Sequence, residues 1–273
     1  MKTLIIDGGF IEVKTSTRPR KHSICVQNKT PKQMQKPSTF RKVLAWSVHA
    51  FTASGIIFAF LAILAVQTQE YVQVFVYLAI AFFIDGIDGT FARAAKVQEV
   101  LPNFSGDSVD HVVDFTTYVV IPAYFLYEAE ILPTDLSFIG ICVVLMTSCY
   151  YYGKSTYVTH DLHFEGFPVL WNFVAFYLYF IFDFAPITNF ILVLLIGILH
   201  FVPCKYPYPS RTRELRLPTF LVFGITGFAS LYALFIYPEK PFWVEMIGYV
   251  SVSYLFGITI YKTYFWKGWE RDL

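Results

Sequence analysis

The chain has 273 residues, of which 56% are hydrophobic, 19% aromatic and 15% charged, with a mean hydropathy of +0.52. A soluble domain carries roughly 25% charged and about 45 to 50% apolar residues, so a water-dissolved enzyme is excluded and the bilayer is the expected solvent. At about 20 residues per spanning helix the length holds several spans but no large appended catalytic domain, and a net charge of +1 informs only through where the charges sit.

Residues 1–42 carry ten Lys or Arg against Asp7 and Glu12. No uninterrupted apolar run of signal-peptide length interrupts them, so residues 1–36 are expected to form a basic cytoplasmic tail ahead of a transmembrane domain at 37–273. The run Pro37-Ser38-Thr39-Phe40-Arg41-Lys42 pairs capping residues with basic and aromatic ones. It predicts an interfacial helix at headgroup level, with a simple disordered basic tail as the alternative.

Apolar runs then follow at 44–66, 71–94, 109–128, 136–152, 168–184, 187–203, 217–236 and 243–265. They predict an all-α polytopic helix bundle of about eight spans. The fifth and sixth runs are short and joined by Ala185 and Pro186, so a tight hairpin there is an open arrangement. With the N-terminus inside, 20 of the 21 basic residues fall on one side and Lys240 alone on the other. That asymmetry predicts both termini in the cytoplasm, with the chemistry near the cytoplasmic face. The four cysteines show no metal-ligand or disulfide spacing.

The second run ends Asp85-Gly86-Ile87-Asp88-Gly89-Thr90-Phe91-Ala92-Arg93, and the third begins Gly106-Asp107-Ser108-Val109-Asp110-His111-Val112-Val113-Asp114. On helices, Asp85 and Asp88 share one face and Asp110 and Asp114 share another. Two adjacent helices can therefore aim four carboxylates at one point, and an unpaired carboxylate at the bilayer centre costs about 2.5 to 3.5 kcal/mol. All four ligands are hard oxygen donors, which favours Mg²⁺ or Mn²⁺, as two ions, held with a phosphate-bearing substrate. Gly89 and Gly106 remove side chains where a nucleotide diphosphate must approach the backbone, Ala92 continues that small face, and Arg93 can reach a phosphate. Thr52, Ser54 and Gly55 form a small polar patch that suits close helix packing or the wall of the same site. His111 lies near the acids, and neither it nor His49 or His200 has a ligand spacing.

The pattern Asp85-x2-Asp88-Gly89-x2-Ala92-Arg93 … Gly106-x3-Asp110-x3-Asp114 resembles the signature of the CDP-alcohol phosphotransferases, membrane enzymes of phospholipid synthesis, with all eight defined positions present. The spacer 94–105 is longer than the usual family spacing and is similar to that of the bacterial phosphatidylcholine synthase branch. The stretch Phe164-Glu165-Gly166-Phe167-Pro168-Val169-Leu170-Trp171-Asn172 also resembles that branch. The resemblance implies attack of the choline hydroxyl on the phosphatidyl phosphorus of CDP-diacylglycerol, with CMP leaving. It implies metal at Asp85, Asp88, Asp110 and Asp114, with Asp114 also as general base. It places the CDP moiety against Gly89, Ala92, Arg93 and Gly106, with Asp85 adding a backbone contact.

Choline is a quaternary ammonium and is recognised by aromatic faces with a carboxylate. The candidates are Tyr150, Tyr151, Tyr152, Tyr157, Glu165 and Trp171, with Lys154, Arg211, Arg213 and Arg216 available for lipid phosphate. Aromatics at an interface more often anchor a belt than form a cage, and inside-positive charge explains the basic residues as well as phosphate binding does. The expected partners are CDP-diacylglycerol, choline and membrane lipids, with no nucleic acid and a homodimer as an arrangement to test. Serine, inositol phosphate or glycerol phosphate as acceptor is the near alternative. An intramembrane prenyltransferase is disfavoured by the adjacent acidic motifs, and a divalent-cation transporter by the lack of acids through the membrane depth.

Overall fold

The computed structural model describes residues 2–6, 9–13, 37–154, 163–207 and 216–265. The chain forms two compact units, Met1–Pro37 and Ser38–Leu273. In the first, β1 (Lys2–Ile6) pairs antiparallel with β2 (Gly9–Val13), Ile6 opposite Gly9. The expected tail thus contains a hairpin, and the Asp7-Gly8 dipeptide between the strands is the strongest short turn signal a sequence offers.

The second unit begins with α1 (Thr39–Gln67), whose first turn is capped by Ser38 Oγ accepting the Arg41 amide at 3.4 Å. The interfacial helix expected at 37–42 is not a separate element. Residues 39–42 are the first turn of one 29-residue helix, because nothing between Phe40 and Leu44 breaks helical propensity. Ala59, Ala62 and Ala65 give α1 a buried small-residue face, and α2 (Tyr71–Ala95) packs along α1 in the most extensive helix pairing of the chain.

α2 stops where Lys96 takes the left-handed conformation at φ 50°. The single turn α3 (Val97–Val100) follows, and Val97 and Val100 pack under Ala45 and Val48 of α1. The long spacer is therefore folded onto α1. Ser105 then caps α4 (Gly106–Phe115), accepting the Ser108 amide at 3.2 Å. The helix runs on through a π-turn (Thr116–Val120) into α5 (Ile121–Glu128). There the Ile121 amide bonds the Thr116 carbonyl, five residues back, and Pro122 has no amide with which to restore the usual register.

The remaining elements are α6 (Thr134–Tyr152), β3 (Phe164–Glu165), α7 (Trp171–Phe176) with a π-turn (Tyr177–Ile181), α8 (Pro186–Leu199), β4 (Lys205–Tyr206) paired antiparallel with β3, α9 (Arg216–Ile236), and α10 (Phe242–Ile260) ending in a π-turn (Tyr261–Phe265). Among the described residues five helices are long and apolar enough to cross a membrane: Thr39–Gln67, Tyr71–Ala95, Thr134–Tyr152, Leu217–Ile236 and Phe242–Phe265. The protein is an all-α membrane helix bundle. The expected third span is the π-interrupted run 106–128. The expected fifth and sixth are the shorter apolar helices Trp171–Ile181 and Pro186–Leu199. At about 1.5 Å per residue the 14-residue α8 extends roughly 21 Å, short of a hydrocarbon core of about 30 Å.

An aromatic knot sets the frame. Phe75 of α2 meets Phe125 of α5 at 4.9 Å, and Phe176 and Phe180 of the α7 run at 5.4 Å, all edge to face. It ties the start of α2 to the end of the 106–128 run, while α1, which packs on both α2 and α4, brings the acidic ends of the two helices together.

Candidate metal and nucleotide site

One carboxylate oxygen each from Asp85, Asp88 and Asp110 lies within 4.8 Å of the others. Asp88 is buried at 7% exposure, while Asp85 and Asp110 are half-buried. Asp114 stands beside Asp85, and its Oδ1 is buried with no hydrogen-bond partner. The fourth acid therefore adjoins the three-way cluster without sharing its closest convergence. Among the described residues, the ion pairs Arg41–Glu99 and Lys96–Glu99 sit on exposed side chains elsewhere and leave these acids unneutralised. Converging hard oxygens plus an orphaned buried carboxylate oxygen suit a hard divalent cation.

Asp85 is also fixed from one side. Tyr118 Oη donates to Asp85 Oδ2 at 2.7 Å. Tyr118 lies one turn past Asp114, so the spacing 110, 114, 118 puts all three on one face of the α4 run.

A cavity of about 420 Å³ opens from the acids. Asp88, Gly89, Ala92 and Arg93 of α2 form one wall, and Gly106 and Asp110 of α4 another. Every residue expected to contact the nucleotide, apart from Asp85, lines it. Arg93 is held by Thr90, its Nη2 donating to Oγ1 at 3.1 Å. A Cβ at Gly106 would lie 2.7 Å from His49 Cε1, so glycine there is demanded by the ring of α1. Thr52 of the polar patch lines the cavity. Gly55 instead serves packing, since a Cβ there would meet Val113 Cγ1 at 2.7 Å.

The aromatic candidates divide into two groups. Tyr152 faces the α4 run, its ring 5.6 Å from Phe115 and 6.0 Å from His111. Tyr151, Lys154 and Trp171 gather instead around His200, which is fully buried. Trp171, also fully buried, stacks on His200 at 5.6 Å and donates Nε1 to Ser148 Oγ at 2.8 Å. Lys154 Nζ donates to the His200 carbonyl at 3.0 Å and lies 4.9 Å over the Tyr151 ring, a cation at the carbonyl end of α8. The Gly166-Phe167 turn docks on the same end, with the Gly166 amide on the Cys204 carbonyl at 2.9 Å and the Phe167 amide on the Leu199 carbonyl at 3.0 Å. Tyr150 and Glu165 are exposed. Tyr157, Arg211, Arg213 and the Arg216 side chain lie outside the described residues.

The sequence model of the CDP-alcohol phosphatidyltransferases matches residues 47–203 and so takes in both acidic helix ends and the cavity. The chain belongs to this family. It is 40% identical over 223 residues to the phosphatidylcholine synthase of Rhizobium meliloti, covering 80% of this chain and 90% of that protein. It is 37% identical over 219 residues to the Agrobacterium fabrum phosphatidylcholine synthase, with the same coverage. To the Borreliella burgdorferi phosphatidylcholine synthase it is 34% identical over 230 residues, 81% of this chain and 95% of that protein. In this CDP-alcohol phosphatidyltransferase the structure brings together the acids and small residues that the spacing singles out, and adds Tyr118 and His49 beside them and His200 at the end of α8. Tyr118 had a signal in its one-turn offset from Asp114; the two histidines had none, because each acquires its neighbours from helices distant in the chain.

Proposed function

We propose that the protein is a phosphatidylcholine synthase, moving the phosphatidyl group of CDP-diacylglycerol to the hydroxyl of choline with release of CMP. One observation carries this: the acidic cluster of α2 and α4 is continuous with a cavity lined by Gly89, Ala92, Arg93 and Gly106. Family membership and relatives named phosphatidylcholine synthase support it.

Asp85, Asp88 and Asp110, with Asp114 beside them, would hold two Mn²⁺ or Mg²⁺ ions. A metal bound there would supply positive charge against the pyrophosphate and the leaving CMP. Gly89 and Gly106 admit the nucleotide to the helix backbones, and Arg93, held by Thr90, offers its guanidinium to a phosphate. The choline oxygen forms its bond to the phosphatidyl phosphorus as the bond to CMP breaks, and Asp114 takes the hydroxyl proton. For the quaternary ammonium we assign Tyr152, with Glu165 as the candidate carboxylate and Lys154, Arg211 and Arg213 for lipid phosphate; Tyr151 and Trp171, expected in the same cage, pack on His200 instead and serve the frame. Tyr152 has the strongest support, since it packs beside Phe115, the neighbour of Asp114. Residues 37–273 form the catalytic domain, preceded by the basic segment 1–36. The proposal places about eight crossings in a bacterial inner membrane, with both termini and the acids on the cytoplasmic side.

The decisive assay combines purified protein, CDP-diacylglycerol, Mn²⁺ or Mg²⁺ and labelled choline, with serine, inositol phosphate and glycerol phosphate in parallel. CMP release should match phosphatidylcholine formed, stop with EDTA and return with either cation. Metal-independent turnover, or no CMP with any acceptor, sinks the proposal. Faster transfer to another alcohol reassigns the acceptor.

Tyr118→Phe removes the donor on Asp85 Oδ2 while keeping the ring. It should raise the Mn²⁺ concentration for half-maximal rate by roughly 10-fold, with a smaller change in the rate at saturating Mn²⁺. A metal titration unchanged from the parent protein would deny Tyr118 any part in orienting Asp85.

A further inference from the structure

His49 belongs to no part of the expected signature, yet α1 places it in the wall of the nucleotide cavity. It is 7% exposed, and its Nε2 has no hydrogen-bond partner. The ring is held by Phe104 at 4.4 Å and Trp46 at 6.0 Å between centroids. Across from it, the bare backbone of Gly106 accommodates Cε1. An apolar ring would make all these contacts, whereas a buried ring nitrogen without a partner is unfavourable unless something bonds it. Gly106 lies one turn before Asp110 on α4. The cavity runs from Asp88 and Asp110 to His49 and Phe104, leaving room there for the nucleoside of a nucleotide whose diphosphate meets the two acids.

We propose that His49 is a specificity residue of this site, its imidazole hydrogen-bonding the base of the bound nucleotide while Phe104 supplies an aromatic wall. The proposal rests on the CDP-lipid reading above. A neutral imidazole offers one donor and one acceptor. In the tautomer that presents a bare nitrogen to the base it accepts from the cytosine amine and offers no donor to the uracil carbonyl at the same place.

The test measures CDP and UDP binding to the purified protein in detergent with Mn²⁺ by calorimetry, together with the KM values for CDP-diacylglycerol and choline. The parent protein should prefer CDP by about 10-fold or more. His49→Phe, which retains the ring packing, should lose about 10-fold in CDP affinity, leave UDP within about 2-fold, and raise the KM for CDP-diacylglycerol but not for choline. His49→Gln should recover part of the preference, and it carries the comparison if the Phe variant does not purify as a single folded species. Equal weakening of both nucleotides, or unchanged CDP affinity, overturns the proposal while leaving the transferase function standing. If the parent protein binds neither nucleotide and releases no CMP, the function falls and the role of His49 with it.

Discussion

Replacing Asp88 by alanine should abolish CMP release, a loss of at least about 10³-fold, corresponding to roughly 4 kcal/mol of transition-state stabilisation. The same holds for Asp110→Ala, because these residues give two of the three oxygens that converge within 4.8 Å. Folding should not suffer. Removing one of several like charges from a site without bound metal relieves repulsion, so both variants should remain in the membrane with thermal midpoints at or above that of the parent. Added Mn²⁺ should raise the midpoint of the parent protein and fail to raise that of either variant. This readout separates loss of the metal site from loss of fold. Asp135→Ala, an exposed acid in the first turn of α6, serves as the charge control and should retain full activity. Turnover by Asp88→Ala at even a tenth of the parental rate would remove the carboxylate cluster from the chemistry.

The second large effect is on stability. Gly166 has φ +85°, and a Cβ there would lie 2.5 Å from the His200 carbonyl oxygen. That atom belongs to the backbone at the end of α8, which has no rotamer by which to withdraw. Gly166→Ala therefore combines a left-handed conformation, costing about 1 to 2 kcal/mol for a residue with a side chain, with a clash that displaces the turn. A total loss of about 2 to 4 kcal/mol is expected, read as a lower thermal midpoint in detergent. The turn also holds Phe167 against His200 and Tyr206 at 6.0 and 5.3 Å, so the damage should spread to the Trp171 cluster and quench or shift its fluorescence. Gly224→Ala is the comparison, since an added methyl there meets nothing within 4 Å and alanine is the better helix former. An unaltered midpoint for Gly166→Ala would mean that the turn does not dock on α8.

The sequence carried the site further than it carried the fold. Asp85, Asp88, Asp110 and Asp114 were legible because helical periodicity turns a spacing of three or four into a shared face. The small residues were legible for the same reason, within one helix at a time. The hairpin at Lys2–Val13 was hidden by a charge count, which hid the Asp7-Gly8 turn signal. The first turn of α1 looked like a surface helix because basic and aromatic residues favour headgroups, and helix continuity prevailed over that local preference. The short helices α7 and α8 were ambiguous in the sequence for a good reason. Apolar length is the signal by which a sequence announces a span, and theirs is shorter than the usual length of about 20 residues.

By itself the sequence determined the solvent, the helical class, the acid-bearing helix ends and the family resemblance, since each follows from composition or from spacing within a single segment. Only the tertiary structure decided that three acids converge while Asp114 stands beside them, that Tyr118 holds Asp85, that His49 lines the cavity of the acids beside Gly106, and that Trp171 packs on His200 apart from Tyr152. Those contacts join residues on different helices, and their geometry is fixed by packing such as the Phe75, Phe125 and Phe176 knot, which no periodicity within one helix encodes.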